Sequence, residues 1–561
     1  MTALGTIDGV RVDIRTVNIA EQLTAMAGRF PDKRAVVWTT GRDGAGRATY
    51  AQITFAELDR MTDGYAHGLE RVGVTRGTRT ILFIKPGPEF FALVFALFKV
   101  GAVPVMIDPG IGKQQMRACL SHVRAEAFIG VPLAHVFRKL YPGAFKSIRV
   151  AITVGRRWFW GGLRLRDIAG DSAQRYAPAP TLPEEPAAIL FTSGSTGPAK
   201  GVLYEHGIFD AQVRYLNEQF GYSDEEIDLP TFPLFALFDA ALGMTAVIPD
   251  MDFTRPGSVD PRRIIEPIRD HDITHMFGSP ALLDRVSRYG REHDVTLPSV
   301  KRVITAGAPV SPTVLERMRC MLPDDAEIHT PYGATESLPV ASIGSREILA
   351  DTAERTARGR GTCVGKPMAG MEVRIIGIDD EPIAAWSDDL ALPTGEIGEI
   401  VVKGPVVTRT YYQDSAATTL AKIRDGEDVR HRMGDVGYFD EQGRLWFCGR
   451  KAHRVITATG TLFTVPCEAI INQHPYVYRS ALVGVGPRGR QTPVICVELE
   501  PEHRDTNETA LMKELRALAE GCELTREISR FLLHPAFPVD VRHNAKIFRE
   551  KLALWAAERV Q

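Results

Sequence analysis

The sequence predicts an α/β protein with a large N-terminal domain of helix-flanked β-sheets and a smaller C-terminal domain. A chain of 561 residues is too long for one simple hydrophobic core. Short apolar runs alternate with amphipathic segments through about residue 370, as parallel sheets covered by helices require. From residue 371 the runs alternate with period two between glycine turns, which indicates a smaller antiparallel or barrel-like part.

The predicted elements follow one another in a regular order. T-I-L-F-I is a strand, a buried helix covers about 89–99, and V-P-V-M-I-D-P is the next strand. A-A-I-L-F-T, T-H-M-F-G-S-P and V-K-R-V-I-T-A-G-A-P continue the series, and M-E-V-R-I-I-G and G-E-I-V-V-K-G begin the antiparallel part. Ligands of such folds bind at the carboxyl ends of the strands, where the glycine loops fall. The polar stretch G-R-K-A-H-R, residues 449–454, predicts a boundary between domains of residues 1–449 and 450–561.

Composition excludes several classes of protein. Apolar residues make up 44%, charged residues 24%, and the net charge is −2, which argues against a nucleic-acid partner. Seven scattered cysteines without zinc spacing, and an N-terminus without an apolar signal, predict a cytoplasmic protein. The longest apolar run, residues 90–98, is about half the ~20 residues of a membrane span.

The loop T-S-G-S-T-G-P-A-K-G, residues 192–201, has the composition of a phosphate-binding loop after a strand. Glycines allow backbone N–H groups to converge, and hydroxyls and Lys200 add donors. It is not a Walker A loop, because Ala199 precedes the lysine and Gly201 follows it. The alternative is an ordinary surface turn.

Further glycine and acidic clusters follow in the chain. Each one taken singly also fits a turn, a helix cap or an exposed side chain. The clusters are T-A-G-A-P (305–309), T-P-Y-G-A-T-E-S (330–337), M-G-D-V-G-Y (433–438), G-R-K (449–451) and N-A-K-I-F-R (544–549).

Together, in this order and over roughly residues 20–555, these clusters resemble the adenylate-forming superfamily of acyl-CoA synthetases, luciferases and nonribosomal adenylation domains. The resemblance implies that Lys200 and the loop wrap the β- and γ-phosphates of ATP. It also implies that Glu336 and the Thr335 hydroxyl hold Mg²⁺, a cation that prefers oxygen ligands. The loop residues assigned to ATP are Thr192, Ser193, Gly194, Ser195, Thr196 and Gly197.

The resemblance also implies the remaining roles. Asp435 would bind the ribose hydroxyls with Arg450 as reinforcement. Lys546, on a small mobile α+β C-terminal domain, would stabilise charge where the substrate carboxylate meets the α-phosphate. The residues expected to hold adenine are Gly307, Ala308, Pro309 and Tyr332, and Gly333 is assigned to ATP binding with them.

The chain departs from the superfamily pattern where a second substrate would act. P-L-F-A-L-F-D, residues 233–239, has Ala236 for a usual His and Asp239 for a usual Gly. At the hinge, Ala452 and Ile456 replace usual charged residues, and the loop to Gly460 is longer. These departures question a docking surface for coenzyme A.

Within the superfamily the chain is most similar to the β-lactone synthetases of bacterial long-chain olefin biosynthesis, through G-V-L-Y-E-H-G-I-F-D-A-Q-V and P-L-F-A-L-F-D-A-A-L-G-M. This implies adenylation of a 2-alkyl-3-hydroxy fatty acid, followed by attack of its own 3-hydroxyl and loss of AMP. It also implies partner enzymes of that pathway, a lactone decarboxylase and a ketoacid reductase. The alternatives are a fatty acyl-CoA or acyl-AMP ligase, and a nucleotide-binding module without catalysis.

Two local features each have two interpretations. The apolar residues of 232–242 form either an acyl pocket or ordinary core, and Asp239 is either the base for ring closure or a helix cap. The basic and aromatic patch R-R-W-F-W-G-G-L-R-L-R, residues 156–166, is either a partly buried loop or a peripheral membrane contact. The acyl-pocket candidates are Phe235, Ala236, Phe238 and Asp239.

Overall fold

A computed structural model describes residues 2–7, 10–170, 173–191, 199–540 and 546–560. Within these ranges the chain forms two seven-stranded sheets, an eight-stranded antiparallel sheet and a small C-terminal three-stranded sheet. Helices accompany the two seven-stranded sheets, so the predicted α/β class is confirmed.

The first part of the chain supplies most of one seven-stranded sheet, in which β5 to β10 are parallel. Residues 90–99 of α3 are all buried, as predicted for an internal helix. The elements are β1 (Thr2–Ile7), β2 (Val10–Arg15), α1 (Ala20–Arg29), β3 (Arg34–Arg42), β4 (Ala48–Thr54), α2 (Phe55–Arg71), β5 (Arg79–Phe83), α3 (Pro88–Lys99), β6 (Val103–Ile107), α4 (Lys113–Val123), β7 (Ala127–Gly130), α5 (Pro132–Leu140), β8 (Val150–Thr153), β9 (Leu163–Arg164), α6 (Leu165–Ile168) and β10 (Pro186–Phe191).

The middle of the chain completes both sheets. Strand β11 closes the first sheet antiparallel to β10, and the second sheet runs β16-β15-β14-β12-β13-β3-β4 with only β4 antiparallel. The elements are β11 (Gly201–Glu205), α7 (His206–Phe220), β12 (Ile227–Pro230), α8 (Ala236–Leu242), β13 (Thr245–Ile248), α9 (Arg262–Asp270), β14 (His275–Phe277), α10 (Pro280–Glu292), β15 (Arg302–Ile304), α11 (Pro312–Arg319) and β16 (Glu327–His329).

The third sheet is antiparallel throughout, and its β20–β21 pair is the one that the period-two pattern predicted. The elements are β17 (Tyr332–Ala334), β18 (Ser337–Ser342), α12 (Ser345–Glu347), α13 (Ala353–Ala357), β19 (Thr362–Pro367), β20 (Glu372–Ile376), β21 (Gly398–Lys403), α14 (Ser415–Ala421), β22 (Lys422–Asp425), β23 (Asp428–Phe439) and β24 (Leu445–Arg450).

The C-terminal part has its own core, in which residues such as Leu482, Ile495 and Leu515 are fully buried. Strands β27 to β29 form its sheet. The elements are β25 (Val455–Ile456), β26 (Thr461–Leu462), α15 (Thr464–Ile471), β27 (Val477–Val485), β28 (Thr492–Leu499), α16 (Glu508–Glu520), β29 (Arg530–Leu533) and α17 (Arg549–Ala557).

A charged cluster lies inside the N-terminal core, between α2 and α3. Lys99 Nζ lies 2.6 Å from Asp59 Oδ1 and 2.5 Å from Asp63 Oδ1. All three side chains are buried, and the Thr24 hydroxyl donates a further hydrogen bond to Asp59. In the described part of the chain, no helix combines the length and apolarity needed to cross a bilayer.

Candidate active site

One cavity of about 880 Å³ receives residues from all three large sheets and from the C-terminal part. Its wall combines charged groups at one side with a continuous group of phenylalanines and leucines at the other. The predicted residues that line it are Lys200, Phe235, Phe238, Asp239, Gly307, Tyr332, Gly333, Thr335, Glu336, Arg450 and Lys546.

The phosphate-binding loop is only partly covered by the structure. Thr192, Ser193, Gly194, Ser195, Thr196 and Gly197 lie outside the described residues. Lys200, at the start of β11, places Nζ 5.1 Å from the ring centroid of Tyr411. The Tyr411 hydroxyl in turn donates to Glu336 Oε1 at 2.7 Å. Lys200 therefore lies by the ring of Tyr411, and Glu336 lies by its hydroxyl.

Backbone contacts hold the Thr335–Glu336 turn between β17 and β18. The Tyr204 hydroxyl donates to the Thr335 carbonyl at 2.6 Å. The backbone N–H and the hydroxyl of Thr408 both donate to the Glu336 carbonyl, at 2.9 and 3.0 Å. With both carbonyls bonded, the two side chains project from a fixed turn.

Sequence reasoning missed Tyr411 and a second group near Glu336. Lys422 is buried, its ammonium donates to the Thr408 hydroxyl at 3.2 Å, and burial lowers its pKa to about 7 although Glu336 opposes the shift. Burial likewise raises the pKa of Glu205 to about 7. No local sequence pattern marks Tyr411 or Lys422, because only the fold brings them near Glu336.

The predicted nucleoside residues come together where the first residue of β17 and the last residue of β24 meet the middle of β23. The Tyr332 hydroxyl donates to Asp435 Oδ2 at 2.6 Å, and an Arg450 nitrogen lies 3.1 Å from Asp435 Oδ1. Burial raises the pKa of Asp435, against the opposing effect of Arg450. Gly307 lines the cavity with a φ of 97°, whereas Ala308 and Pro309 lie next to it without entering the wall.

Lys546 reaches the same cavity from the C-terminal part. Its backbone carbonyl accepts a hydrogen bond from the Asp540 N–H at 2.9 Å. The connection after β24 is held by Lys451, whose Nζ lies 3.0 Å from Glu399 Oε1. Arg432 binds the other oxygen of the buried Glu399 at 2.6 Å. The C-terminal part therefore presents its late lysine to the N-terminal site.

Of the four predicted acyl-pocket residues, three line the cavity wall and one lies in the hydrophobic core. Phe235 packs edge-on against Phe277, with ring centroids 4.7 Å apart, and Phe238 lies next along the cavity. Ala236 is fully buried in the core cluster of the N-terminal part instead. Residues 235 and 239 share one face of α8 and residue 236 lies off that face, because an α-helix repeats every 3.6 residues.

The donor set fits magnesium. Glu336 and Thr335 offer a carboxylate and a hydroxyl, which are the hard oxygen ligands that Mg²⁺ prefers. Among the described residues there is no group of three or more His, Cys, Asp or Glu suited to a metal. A cation held by these two groups would have room to bind the phosphates of a nucleotide as well, as is usual for Mg²⁺.

Comparisons with known proteins agree with this geometry. A profile of the family described as AMP-binding enzyme matches residues 23–412. The chain is 50% identical to an olefin β-lactone synthetase of Xanthomonas campestris pv. campestris, over 97% of this chain and 98% of the relative. It is also 50% identical to one from Stenotrophomonas maltophilia, over 98% and 99%. The fold is similar to Bacillus subtilis O-succinylbenzoate coenzyme A synthetase (MenE), solved with ATP and magnesium, at a TM-score of 0.74, 19% identity and coverage of 95% and 98%.

Proposed function

We propose that this chain, which belongs to the AMP-binding enzyme family, is an ATP-dependent β-lactone synthetase acting on a 2-alkyl-3-hydroxy fatty acid. The profile match over residues 23–412 confirms the family predicted from the sequence. Identity of 50% over nearly the full length to two olefin β-lactone synthetases supports the finer assignment.

The observation that carries the proposal is the continuity of one cavity. Lys200, Glu336 and Lys546 lie in the same space as an apolar wall containing Phe235 and Phe238. A molecule with a carboxylate head and long hydrocarbon chains fits such a space, with its head among charges and its chains among rings. A small polar acid would leave the apolar wall in contact with water.

In the first step the substrate carboxylate attacks the α-phosphate of ATP and pyrophosphate leaves. Lys200 offsets charge on the departing phosphates, and Lys546 stabilises charge at the reacting phosphate. Asp435, held by Tyr332 and Arg450, accepts hydrogen bonds from the ribose hydroxyls.

Glu336 and Thr335 would hold Mg²⁺ in this step, and the cation would supply charge neutralisation on the phosphates. Tyr411 orients the Glu336 carboxylate through its 2.7 Å hydrogen bond. The buried Lys422 adds a nearby group whose pKa of about 7 limits its positive charge at neutral pH.

In the second step the 3-hydroxyl oxygen attacks the acyl carbon, the bond to AMP breaks, and a four-membered lactone closes. The attacking group is part of the same molecule, so no external acceptor has to bind, and proximity favours the reaction. Ala452 and Ile456, where charged residues are usual at the superfamily hinge, are consistent with the absence of such an acceptor. We propose that the C-terminal part from residue 450 onward moves about this hinge between the steps.

The test is mass spectrometry of products formed from ATP and a 3-hydroxy fatty acid, with and without coenzyme A. The expected products are pyrophosphate, AMP and the β-lactone, in equal amounts whether or not coenzyme A is present. A matched fatty acid without the 3-hydroxyl should stop at the bound acyl adenylate. Stoichiometric acyl-CoA from either acid would instead establish an acyl-CoA ligase.

The proposal extends to the enzyme's surroundings. Its substrate must come from an enzyme that reduces a 3-keto acid, and its product suits a lactone decarboxylase that yields an olefin. Each of the seven cysteines lies in a described part of the chain and is a free thiol, which supports a reducing cytoplasm as its location.

A further inference from the structure

A polar cluster lies in the apolar wall of the cavity, next to Phe235. Asp239 on α8 lies next to Asp228 on β12, where the two carboxyls interact directly. Asp228 Oδ1 lies 2.5 Å from His275 Nδ1 on the neighbouring strand β14. The other ring nitrogen of His275 lies 2.9 Å from the Tyr222 hydroxyl. All four residues contribute to the cavity wall.

One oxygen of this cluster receives no hydrogen bond from a described donor. Asp239 is 4% exposed, and its buried Oδ2 is bonded to no N–H or hydroxyl group of the described residues. Burying an unpaired carboxyl oxygen costs free energy, so such an atom beside a ligand cavity points to a partner supplied by the ligand. The helix-cap interpretation is wrong, because Asp239 lies within α8 and its neighbour Phe235 occupies the cap position.

We propose that Asp239 accepts the proton of the substrate's 3-hydroxyl during ring closure and that Asp228, positioned by His275, takes over the displaced proton. This rests on the proposed lactone synthesis. The O3–C1 bond forms, the bond from C1 to the AMP oxygen breaks, and its electron pair leaves with AMP. The hydroxyl proton moves to one oxygen of Asp239 while the acid proton of Asp239 moves to Asp228, and one proton returns to solvent in each turnover.

The electrostatics suit a proton relay. Burial, together with the adjacent Asp228, raises the pKa of Asp239 well above its ordinary value, so the pair retains a proton. A neutral carboxyl can accept a proton on one oxygen while it donates from the other. Asp228 bonds to His275, whose other ring nitrogen bonds to the Tyr222 hydroxyl, and these contacts hold Asp228 in a single orientation for that transfer.

Position also agrees with the chemistry. Asp239 lies one helical turn from Phe235, which packs in the cluster that also contacts Tyr332 and Ala334 of the nucleotide side. The 3-hydroxyl is two carbons from the activated carboxyl, so its proton acceptor has to lie just beyond the adenylate. The phenylalanines around the pair exclude water, which would hydrolyse the adenylate.

The experiment measures pyrophosphate release and lactone formation separately in Asp239→Asn, which keeps the size of the side chain. Adenylation should stay within a fewfold of wild type while lactone formation falls by roughly 10²–10⁴-fold, the usual range for a general base. The acyl adenylate should then accumulate and be detected by mass spectrometry after a quench. Asp228→Asn should also leave adenylation nearly unchanged and reduce lactone formation, by a smaller factor.

Asp270→Asn is the matched control, because Asp270 also accepts a side-chain hydrogen bond, from Tyr50, but lies on the exposed side of α9. Lactone formation at the wild-type rate in Asp239→Asn would overturn the relay. A folded Asp239→Asn variant that loses adenylation as well would also overturn it, since Asp239 would then serve substrate binding. Failure of the wild-type enzyme to make lactone would instead refute the proposed function, so the two failures remain distinct.

A second inference comes from the surface loop of residues 155–162. Trp160 anchors this loop, since its ring stacks on His135 of α5 at 5.4 Å and its Nε1 donates to the Thr153 hydroxyl at 2.9 Å. Trp158 and Phe159 point outward instead, 54% and 78% exposed. The loop is therefore partly buried, as predicted, through Trp160, whereas its two aromatic neighbours are exposed.

We infer that this loop rests on an anionic lipid bilayer. Arg156, Arg157 and Arg166 are exposed on the same segment as the two aromatic rings, and α5, on which Trp160 packs, exposes Leu133. Aromatic rings enter the interface of a bilayer while arginines bind anionic headgroups, so charge complementarity favours lipid over an apolar protein surface. Contact with a bilayer would bring the enzyme to the long-chain substrates that partition there.

The test is co-sedimentation with vesicles of phosphatidylcholine alone or mixed with phosphatidylglycerol. The wild type should bind the anionic vesicles, and the Trp158→Ala/Phe159→Ala double variant should bind roughly tenfold or more weakly. Leu554→Ala, which removes a side chain that is 71% exposed elsewhere, should bind normally. Equal binding by the double variant would overturn the inference. So would a change in self-association without a change in vesicle binding, because the loop would then contact protein.

Discussion

Two pairs of buried aspartates occupy neighbouring parts of the N-terminal core, and they differ in how their charge is satisfied. Asp59 and Asp63 share the ammonium of Lys99 at 2.6 and 2.5 Å. Asp228 and Asp239 share no lysine or arginine at comparable distance among the described residues, and Asp239 Oδ2 has no partner. The first pair lies between two helices, whereas the second pair lines the cavity.

The difference separates charges that hold the fold from charges that meet a ligand. A buried ion pair with complete partners is costly to disturb but performs no chemistry. A buried acid without a counter-charge stays neutral, and it can take a proton from a substrate while its own proton passes to a neighbouring carboxylate. Changing members of both classes tests this distinction.

The largest effect is expected at the complete cluster. Lys99→Met would leave two buried carboxylates without a counter-charge, so the free energy of unfolding should fall by about 3–5 kcal/mol. Urea unfolding measures it, with the exposed Lys366→Met as control. Unchanged stability would mean that Lys99 does not neutralise the pair.

Next comes the late lysine of the site. Lys546→Ala should reduce pyrophosphate release by ~10²–10³-fold with little change in ATP affinity, because its charge acts mainly on the transition state. Thermal unfolding should be unaffected, in contrast to Lys99→Met. Lys551→Ala, exposed on α17, is the control. Wild-type pyrophosphate release in the Lys546 variant would exclude its assigned role.

A smaller loss is expected at the phosphate side. Glu336→Gln and Lys200→Ala should each lower kcat/KM for ATP by roughly 10–100-fold, since each removes a charge from a crowded phosphate site. A magnesium titration should show weaker activation for Glu336→Gln, with the exposed Glu396→Gln as control. Unchanged ATP kinetics in both variants would contradict this placement of ATP.

Neutralising the Asp228–Asp239 pair should have the opposite effect on the free energy of unfolding from disturbing the Asp59–Asp63 pair. In the folded protein Asp239 keeps its proton at a pH where the unfolded chain has lost it. The contribution of Asp239 to the free energy of unfolding of the wild type therefore falls as pH rises from about 4 toward the raised pKa, by about 1.4 kcal/mol per pH unit. Asp239→Asn should lack this loss and should gain stability over wild type as pH rises. A difference that does not vary with pH would mean that Asp239 is ionised in the folded protein.

The smallest effect is expected at Tyr411. Tyr411→Phe removes one hydrogen bond to Glu336 and keeps the ring beside Lys200, so kcat/KM for ATP should fall about fivefold, for a loss of ~1 kcal/mol. A loss as large as that of Glu336→Gln would show that the hydroxyl itself contacts the nucleotide or its metal. Phe substitution at Tyr412, whose hydroxyl contacts the Val123 carbonyl, is the control.

Sequence alone predicted the alternation of strands and helices and half of the cavity's charged residues, because glycine clusters and strand ends mark them locally. It could not predict Tyr411 or Lys422, which meet Glu336 through contacts between distant segments. The Asp228–His275 contact is likewise set by the parallel register of β12 and β14. Ala236, predicted for the pocket, lies in the core cluster, since the helical phase of α8 separates it from Phe235 and Asp239.

The ion triad at the end of β24 has a consequence for timing. Glu399 binds both Lys451, on the segment that leads to the C-terminal part, and Arg432, which stays in the third sheet. In the proposed hinge motion the segment would rotate away while Arg432 remains, so the carboxylate would keep a positive neighbour and the several kcal/mol cost of an orphaned buried charge would be avoided. The Lys451 contact would hold the C-terminal part in one resting position and break without a large barrier, so the proposed cycle could proceed at the pace set by chemistry.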